Sequence, residues 1–450
     1  MQRKVWFVGS EAEVAHHAAP LQSCRSFDVE IVAADSVVEV ACPSDLVVFF
    51  SEHFDRFRNA IVQLREKRVS TLYLIDGILE WRNAWENRED EPACPFAMRP
   101  VLCDKAASIG PSQTRVLNSW GNTGKVETVG MPRLDSLRDH WLGSEFAPTD
   151  SKTLHFLVTT AKTPAFTDEQ LLVTRQSLRS LKSFFDQNRS IQGRKVKVSW
   201  RLTAGLDQAI GVKNQLGDLA GASIRKMIEA ADAVVTTPST AMLEAMFLRR
   251  PVALLDFHHC PTYVPAAWTI DSERAIAPVI QGLANPSAAR MNFQDFIVSD
   301  AMQVAELATA RFEKLANAMF DVIEASHDSA EELKFGSNLL NDAEIAPAFP
   351  RQAIWSEFEE FADGDTVELQ TRLAHARREI EHQKRENSRL HDELRQAHEI
   401  FEQIQDHPIA GPVVRLRERF LNLFNREAPD DSDSDSSVTP SNSKSNGSVV

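Results

Sequence analysis

Short, almost wholly apolar runs alternate with helical stretches twice along this chain, and that alternation narrows the fold class more than any other feature. The first set reads as strands at Lys4–Val8, Val29–Ala33, Leu46–Phe50, Thr71–Ile75 and Lys125–Val129. The second has strand-like Leu154–Thr160, Lys195–Trp200, Ala233–Thr237 and Val252–Phe257, with helical runs at Asp168–Asp186, Ala222–Ala230 and Ser239–Leu248. Runs of this kind between helical stretches predict parallel sheets with crossover helices. The expected class is therefore α/β, with two domains at 1–145 and 146–342 joined through the Gly-, Ser- and Pro-bearing segment Leu142–Lys152. Two such sheets in tandem place a ligand cleft between the carboxyl ends of their strands.

The composition, 43% hydrophobic and 25% charged over 450 residues, fits a soluble chain with more than one core. A net charge of −15 argues against a nucleic-acid coat or a polybasic membrane binder, and no nucleic-acid partner is expected. That charge is uneven: residues 151–226 carry +8, whereas 1–150, 227–342 and 343–450 carry −6, −9 and −8. No apolar run approaches the ~20 residues of a membrane span, and no signal-peptide core follows the basic start, so a cytoplasmic protein is expected. The five cysteines are scattered without CxxC spacing, which predicts neither disulfides nor a zinc site.

Beyond a linker at 343–365 the pattern becomes heptad-like over 366–406, with Asn387 at a core position, and predicts a parallel homodimeric coiled coil; a single solvated helix is the alternative. An amphipathic helix is expected over 407–427. Its apolar face, Val413, Leu416, Phe420, Leu423 and Phe424, with nearby arginines, suits peripheral membrane contact through 412–426 or packing on the coiled coil. Residues 428–450, rich in Ser and Asp, lack the apolar content to fold.

The segment from Ala231 to Ala245 carries the chemistry. A buried strand ends at Thr237, and Ser239 and Thr240 then open a helix, so hydroxyls and free backbone N–H groups form an anion site suited to a diphosphate. Glu244, about a turn further in, could reach ribose hydroxyls. The plainer alternatives are that Ser239 is only an N-cap and Glu244 a solvated helix residue.

The stretch Met227 to Phe257, with its Thr-rich strand end, Ser239-Thr240 pair, helix and Arg250-Pro251-Val252, resembles the donor-nucleotide half of GT-B glycosyltransferases. It is particularly similar to the branch of CDP-glycerol glycerophosphotransferases and related surface-polysaccharide transferases. Gly130-Met131-Pro132-Arg133-Leu134-Asp135 resembles the G-x-P-R-x-D element that closes the N-terminal domain there and, more loosely, in UDP-sugar 2-epimerases. The likeness covers roughly residues 1–325. It implies two Rossmann-like domains of the GT-B type, a nucleotide-diphosphate donor, a glycan or lipid-linked acceptor, and no metal or other cofactor, the leaving diphosphate being stabilised by a helix dipole and basic side chains.

Such a transferase needs a base in the N-terminal domain. Asp76, in Ile75-Asp76-Gly77, is the first candidate, with Glu80, Glu52 and His53 as alternates; the related family usually has His-Gly at that place, so Asp76 is a departure. Arg133 either contacts a donor phosphate or pairs with Asp135 to lock the turn. Arg201, at a strand end, and Thr159–Thr163 are further phosphate-side candidates. Trp81 and Trp85 suit either a sugar-binding surface or a buried helix face. His258-His259-Cys260 lacks the spacing of a metal site. The functions left open are a transferase, a UDP-sugar 2-epimerase-like isomerase, and a non-catalytic coiled-coil assembly protein with a GT-B-like body.

Overall fold

The computed structural model describes residues 3–52, 54–80, 98–147, 151–212, 219–259, 261–329 and 333–342, with a few helical residues between 384 and 395. The first half contains β1 (Lys4–Val8), α1 (Glu11–Ala18), β2 (Asp28–Val32), α2 (Val37–Val40), β3 (Leu46–Phe49), α3 (Asp55–Glu66), β4 (Ser70–Leu74), β5 (Lys105–Ser108), α4 (Pro111–Leu117), β6 (Val126–Thr128) and α5 (Asp135–Gly143). The second contains β7 (Thr153–Thr159), α6 (Asp168–Gln187), β8 (Ser190–Ile191), β9 (Arg194–Arg201), α7 (Leu206–Ile210), α8 (Ile224–Glu229), β10 (Ala233–Thr236), α9 (Thr240–Phe247), β11 (Val252–Leu255) and β12 (Trp268–Ile270). The helices α10 (Glu273–Ala284), α11 (Ala288–Ala301) and α12 (Ala308–Ser329) follow.

The strands form two six-stranded sheets, β2-β1-β3-β4-β5-β6 and β12-β11-β10-β7-β9-β8. All neighbours are parallel except the short β8–β9 hairpin. The expected α/β class with two Rossmann-like domains is the one observed. Both sheets reverse their strand order beside the first strand, between β1 and β3 in one and between β7 and β10 in the other. At such a switch point neighbouring loops leave in opposite directions and open a crevice at the carboxyl edge.

Three strands lie outside the sequence expectation. In β5, Lys105-Ala106-Ala107-Ser108, no residue has a strong strand preference. It forms because Lys105, 1% exposed, pairs with Glu127 of β6 at 2.5 Å and donates to the carbonyls of Gly124 and Gly336. Glu127 in turn accepts the N–H groups of Leu339 and Leu340, so this buried pair fastens the 336–340 segment to the first sheet. The strands β8 and β12 are two and three residues long, below the length at which alternation registers.

The last described helix, α12, falls in sequence within the second expected domain, 146–342. Phe312, Leu315, Met319, Phe320 and Ile323 of α12 pack with Val5, Phe7, Leu46 and Val48, so this helix covers the first sheet although it follows the second in sequence. A periodic apolar face says that a helix is covered but not by which sheet. A separate cluster joins the halves directly: Ile109, Met131, Leu134 and Trp141 pack with Met242, Leu243, Met246 and Phe247 of α9.

No described helix is long and apolar enough to cross a membrane. Residues 384–385, 388–390 and 395 are helical, within the expected coiled coil. Otherwise the dimeric coiled coil, the linker, the amphipathic helix and the tail lie outside the described residues, as do His53, Trp81, Trp85 and Cys260.

Candidate active site

The two switch points face one another. From the first sheet come α1, which follows β1, and the residues just after β4 and β6. From the second come the residues after β7 and the start of α9.

Helix α1 begins at a capping box in which Glu13 accepts the Ser10 N–H and Oγ–H, each at 2.9 Å. Those bonds and Arg56 hold the Glu13 carboxyl down to about 2. The last turn carries His16 and His17, whose ring centroids are 3.6 Å apart. His17 is buried, stacks on Phe50 and lies with its Nε2 2.7 Å from Asp76 Oδ2; His16 is exposed. Burial works against ionisation of Asp76, but the His17 hydrogen bond and the charges of His17, Arg133 and His16 outweigh it and hold the carboxyl below the usual aspartate range. An ionised Asp76 accepts, so His17 Nε2 carries the proton it donates. Asp76, the first candidate for the base, is thus brought into contact with His17. His16 is shifted downward, first by burial and then by the charges of His17 and Arg133, with Lys162 of the second half adding to the effect and Asp76 opposing it. Loss of a proton from His16 is thereby eased.

The Gly130–Asp135 element follows β6. Gly130 has φ +99°, and a Cβ there would lie 2.8 Å from Ala308 Cβ, so glycine serves both the turn and the close approach of α12. Asp135 accepts the N–H groups of Ala308 and Thr309 and caps α12 rather than pairing with Arg133. Arg133 instead crosses to the second half. Its Nη1 is 3.1 Å from Glu244 Oε1, its Nη2 reaches the Asp76 carbonyl at 3.4 Å, and its buried Nε has no hydrogen-bond partner among the described residues. Glu244, 8% exposed, is therefore not a solvated helix residue.

Ser239 does not cap α9 with its side chain; its Oγ lies 3.2 Å from Thr236 Oγ1. The N–H groups of the first turn are thus left without a side-chain cap, at the positive end of a helix whose other residues are largely core. Gly77 meets this turn: a Cβ there would be 3.2 Å from Thr240 Oγ1. The loop after β7 is fixed beside it, since Thr237 Oγ1 accepts the Ala161 N–H at 2.9 Å and Thr203 Oγ–H donates to the Ala161 carbonyl at 2.6 Å. Arg201 ends β9 in register with Thr159, and its carbonyl accepts the Thr160 N–H.

The remaining candidates separate from this group. Glu52 is 1% exposed and spends its carboxylate on the Leu102 and Cys103 N–H groups at 2.9 and 3.0 Å. Burial pushes its carboxyl up, with those bonds partly offsetting the effect. Glu80 forms an antiparallel bridge with Thr262, tying the two halves at the rim. His258 Nε2 lies 3.0 Å from Thr174 Oγ1. The pair that sequence reasoning missed is His16-His17: adjacent residues on a helix have no ligand or catalytic spacing, and only the fold brings Asp76 to them. His16, His17 and Asp76 do place ligand atoms within 4.8 Å of one another. However, Arg133 and Lys162 act on the same group, and a divalent cation would have to displace the His17–Asp76 bond, so these residues fit a metal poorly.

No protein-family model and no curated protein matches the sequence. Among solved structures, the chain is similar to the wall teichoic acid polymerase TagF, at 12% identity and a TM-score of 0.46 over 74% of this chain and 90% of that one. It is also similar to the UDP-GlcNAc 2-epimerase of Methanocaldococcus jannaschii, at 10% identity and a TM-score of 0.42 over 64% of this chain and 94% of that one. A third likeness is to an α,α-trehalose 6-phosphate synthase from Burkholderia multivorans, at 9% identity and a TM-score of 0.39 over 72% and 78%. Likenesses this distant leave the chemistry of the cleft to its own residues.

Proposed function

We propose that the protein is a GT-B-type transferase that moves a glycosyl or polyol-phosphate unit from a nucleotide-diphosphate donor to a glycan or lipid-linked acceptor. The observation that carries this reading is the confrontation of two unlike switch points: an imidazole–carboxylate group on one sheet, and an uncapped helix start with hydroxyls on the other. The donor diphosphate lies at the start of α9, held by Ser239, Thr240 and the first-turn N–H groups, with Arg201 and Lys162 as nearby cations and Glu244 for the ribose. Arg133 has the reach to stabilise charge developing on the leaving phosphate from across the cleft. His16 takes the acceptor proton as general base, and the His17–Asp76 pair fixes the neighbouring ring that orients it. Metal assistance is not needed for such a scheme, because helix dipole and cations share the charge.

Calorimetry with UDP, CDP and GDP on the full chain tests this. One of the three is expected to bind, and the Ser239→Ala/Thr240→Ala double variant should weaken it roughly 10- to 100-fold, since hydrogen bonds to charged groups contribute ~1.5–3 kcal/mol. Full affinity in the double variant rejects the assignment of the donor site. Binding of none of the three favours the non-catalytic assembly protein.

A further inference from the structure

At the opposite edge of the second sheet, where its strands begin, lies a surface cavity of about 410 Å³. A strand as long as β7 spans about 20 Å, so this cavity and the cleft are separate places. Its volume falls in the range that holds a small ligand and exceeds the needs of a bare inorganic anion.

Its walls are unusually cationic. Lys152 precedes β7, Arg194 starts β9 and Arg250 precedes β11, and all three line the cavity, where Asp232 is the single carboxylate among the described residues. That carboxylate is already engaged, its Oδ2 accepting the His155 N–H at 2.8 Å. The two guanidinium groups are anchored: Arg194 donates to the Ala284 carbonyl at the end of α10, and Arg250 Nη2 to the Glu229 carbonyl at 2.8 Å. Arg250 Nε is buried and has no hydrogen-bond partner among the described residues.

The rest of the wall suits a hydroxylated body. Gln192 and Asn285 bring side-chain amides, each able to donate and accept. Gln192 belongs to the tight β8–β9 turn, with φ +50° followed by Gly193 at φ +77°, and its Nε2 donates to the Gln281 carbonyl at 3.2 Å, which fixes this rim. Apolar contact comes from Leu154, Leu283 and Phe146. Cations, side-chain amides and apolar groups together form a lining that matches a phosphate ester of a small polyol.

We propose that this cavity is a second binding site, separate from the transfer cleft, for a phosphorylated sugar or polyol. Lys152, Arg194 and Arg250 hold the phosphate, and Gln192 and Asn285 the hydroxyls.

Calorimetry on the full chain with glucose 6-phosphate, glycerol 3-phosphate and inorganic phosphate tests the proposal. One of the esters is expected to bind at least tenfold more tightly than inorganic phosphate. The Lys152→Gln/Arg194→Gln variant should weaken that ester at least tenfold, and the Ser239→Ala/Thr240→Ala variant should leave it unchanged. Arg250→Gln should act in the same direction; if loss of its bond to Glu229 unfolds the chain, the Lys152/Arg194 variant still decides. The proposal is overturned if neither ester binds up to about 10 mM, a range corresponding to only ~3 kcal/mol. It is equally overturned if inorganic phosphate binds as well as the ester, or if the loss appears in the Ser239/Thr240 variant instead, which would place the ester in the cleft. The site stands or falls separately from the transfer reading, since nucleotide and ester are measured on the same variants.

Discussion

The first sheet brings to the cleft His16, His17, Asp76 and Arg133, whereas the second brings hydroxyls, backbone N–H groups, Lys162 and Glu244. The two sides also differ in how they are built. Six of the eight residues of α9 are buried, so the anion-facing turn is the end of a core element. Helix α1 has the same length with only Val14, His17 and Ala18 buried, so His16 projects from a lightly packed element. Under the proposed function, binding geometry is thus fixed by the core, and proton chemistry is set on a less buried helix.

That division predicts its own largest consequence. His16→Gln should lower turnover by about 10² to 10⁴, the range for loss of a general base, while donor affinity stays unchanged because the donor groups belong to the other half. Asp76→Asn should lower turnover less, by disorienting His17, and should do so without altering donor affinity. Steady-state kinetics beside calorimetry check both. A His16 variant that loses donor affinity in step with turnover would break the separation of binding from proton transfer.

A smaller effect is expected where the sides touch. The Arg133 and Glu244 side chains are 22% and 11% exposed, so neither charge is well solvated once the other is removed. Arg133→Gln and Glu244→Gln should each cost of order 1–3 kcal/mol in urea unfolding, and the double variant should fall short of their sum by about 1 kcal/mol. Strict additivity would mean that the halves are held by Met131, Leu134 and their apolar neighbours alone.

The parts of this molecule that sequence revealed are those written in local order. The β10 strand, the Ser239-Thr240 start of α9 and the turn at Gly130 each occupy a continuous stretch whose residue types have one economical conformation. The parts that escaped are written across distance. Strand β5 depends on Lys105 finding Glu127 and Gly336, and α12 on the first sheet accepting a helix from the far end of the second. Arg133 and Glu244 are 111 positions apart, and the alternatives of a phosphate or Asp135 as the partner of Arg133 were the local ones. His16-His17 had no spacing to mark it, because its meaning comes from Asp76 after β4. Chemistry assembled from two switch points is legible only once both sheets are folded.

The smallest expected effect is the most direct measure of how close the sides stand. Burial is the first cause that lowers His16, followed by His17 and Arg133 on its own half, while Lys162 acts on it from the other half. In an NMR titration the His16 midpoint should therefore lie below the ordinary histidine value of about 6.5. Arg133→Gln should raise it, and Lys162→Gln should raise it by less. The sign extends to stability: with a depressed folded value the unfolded chain binds the proton first, so the contribution of His16 is present above about pH 6.5 and is lost as pH falls. Asp76, also depressed, contributes above about pH 3.9 and loses its share as pH falls through its folded value. Charges act across roughly 10 Å at 0.1 M salt, so the Lys162 effect should shrink with added salt. If the His16 midpoint ignores Lys162 at low salt while still answering to Arg133, the halves stand further apart in solution, and the two kinds of chemistry meet only when a bound substrate draws them together.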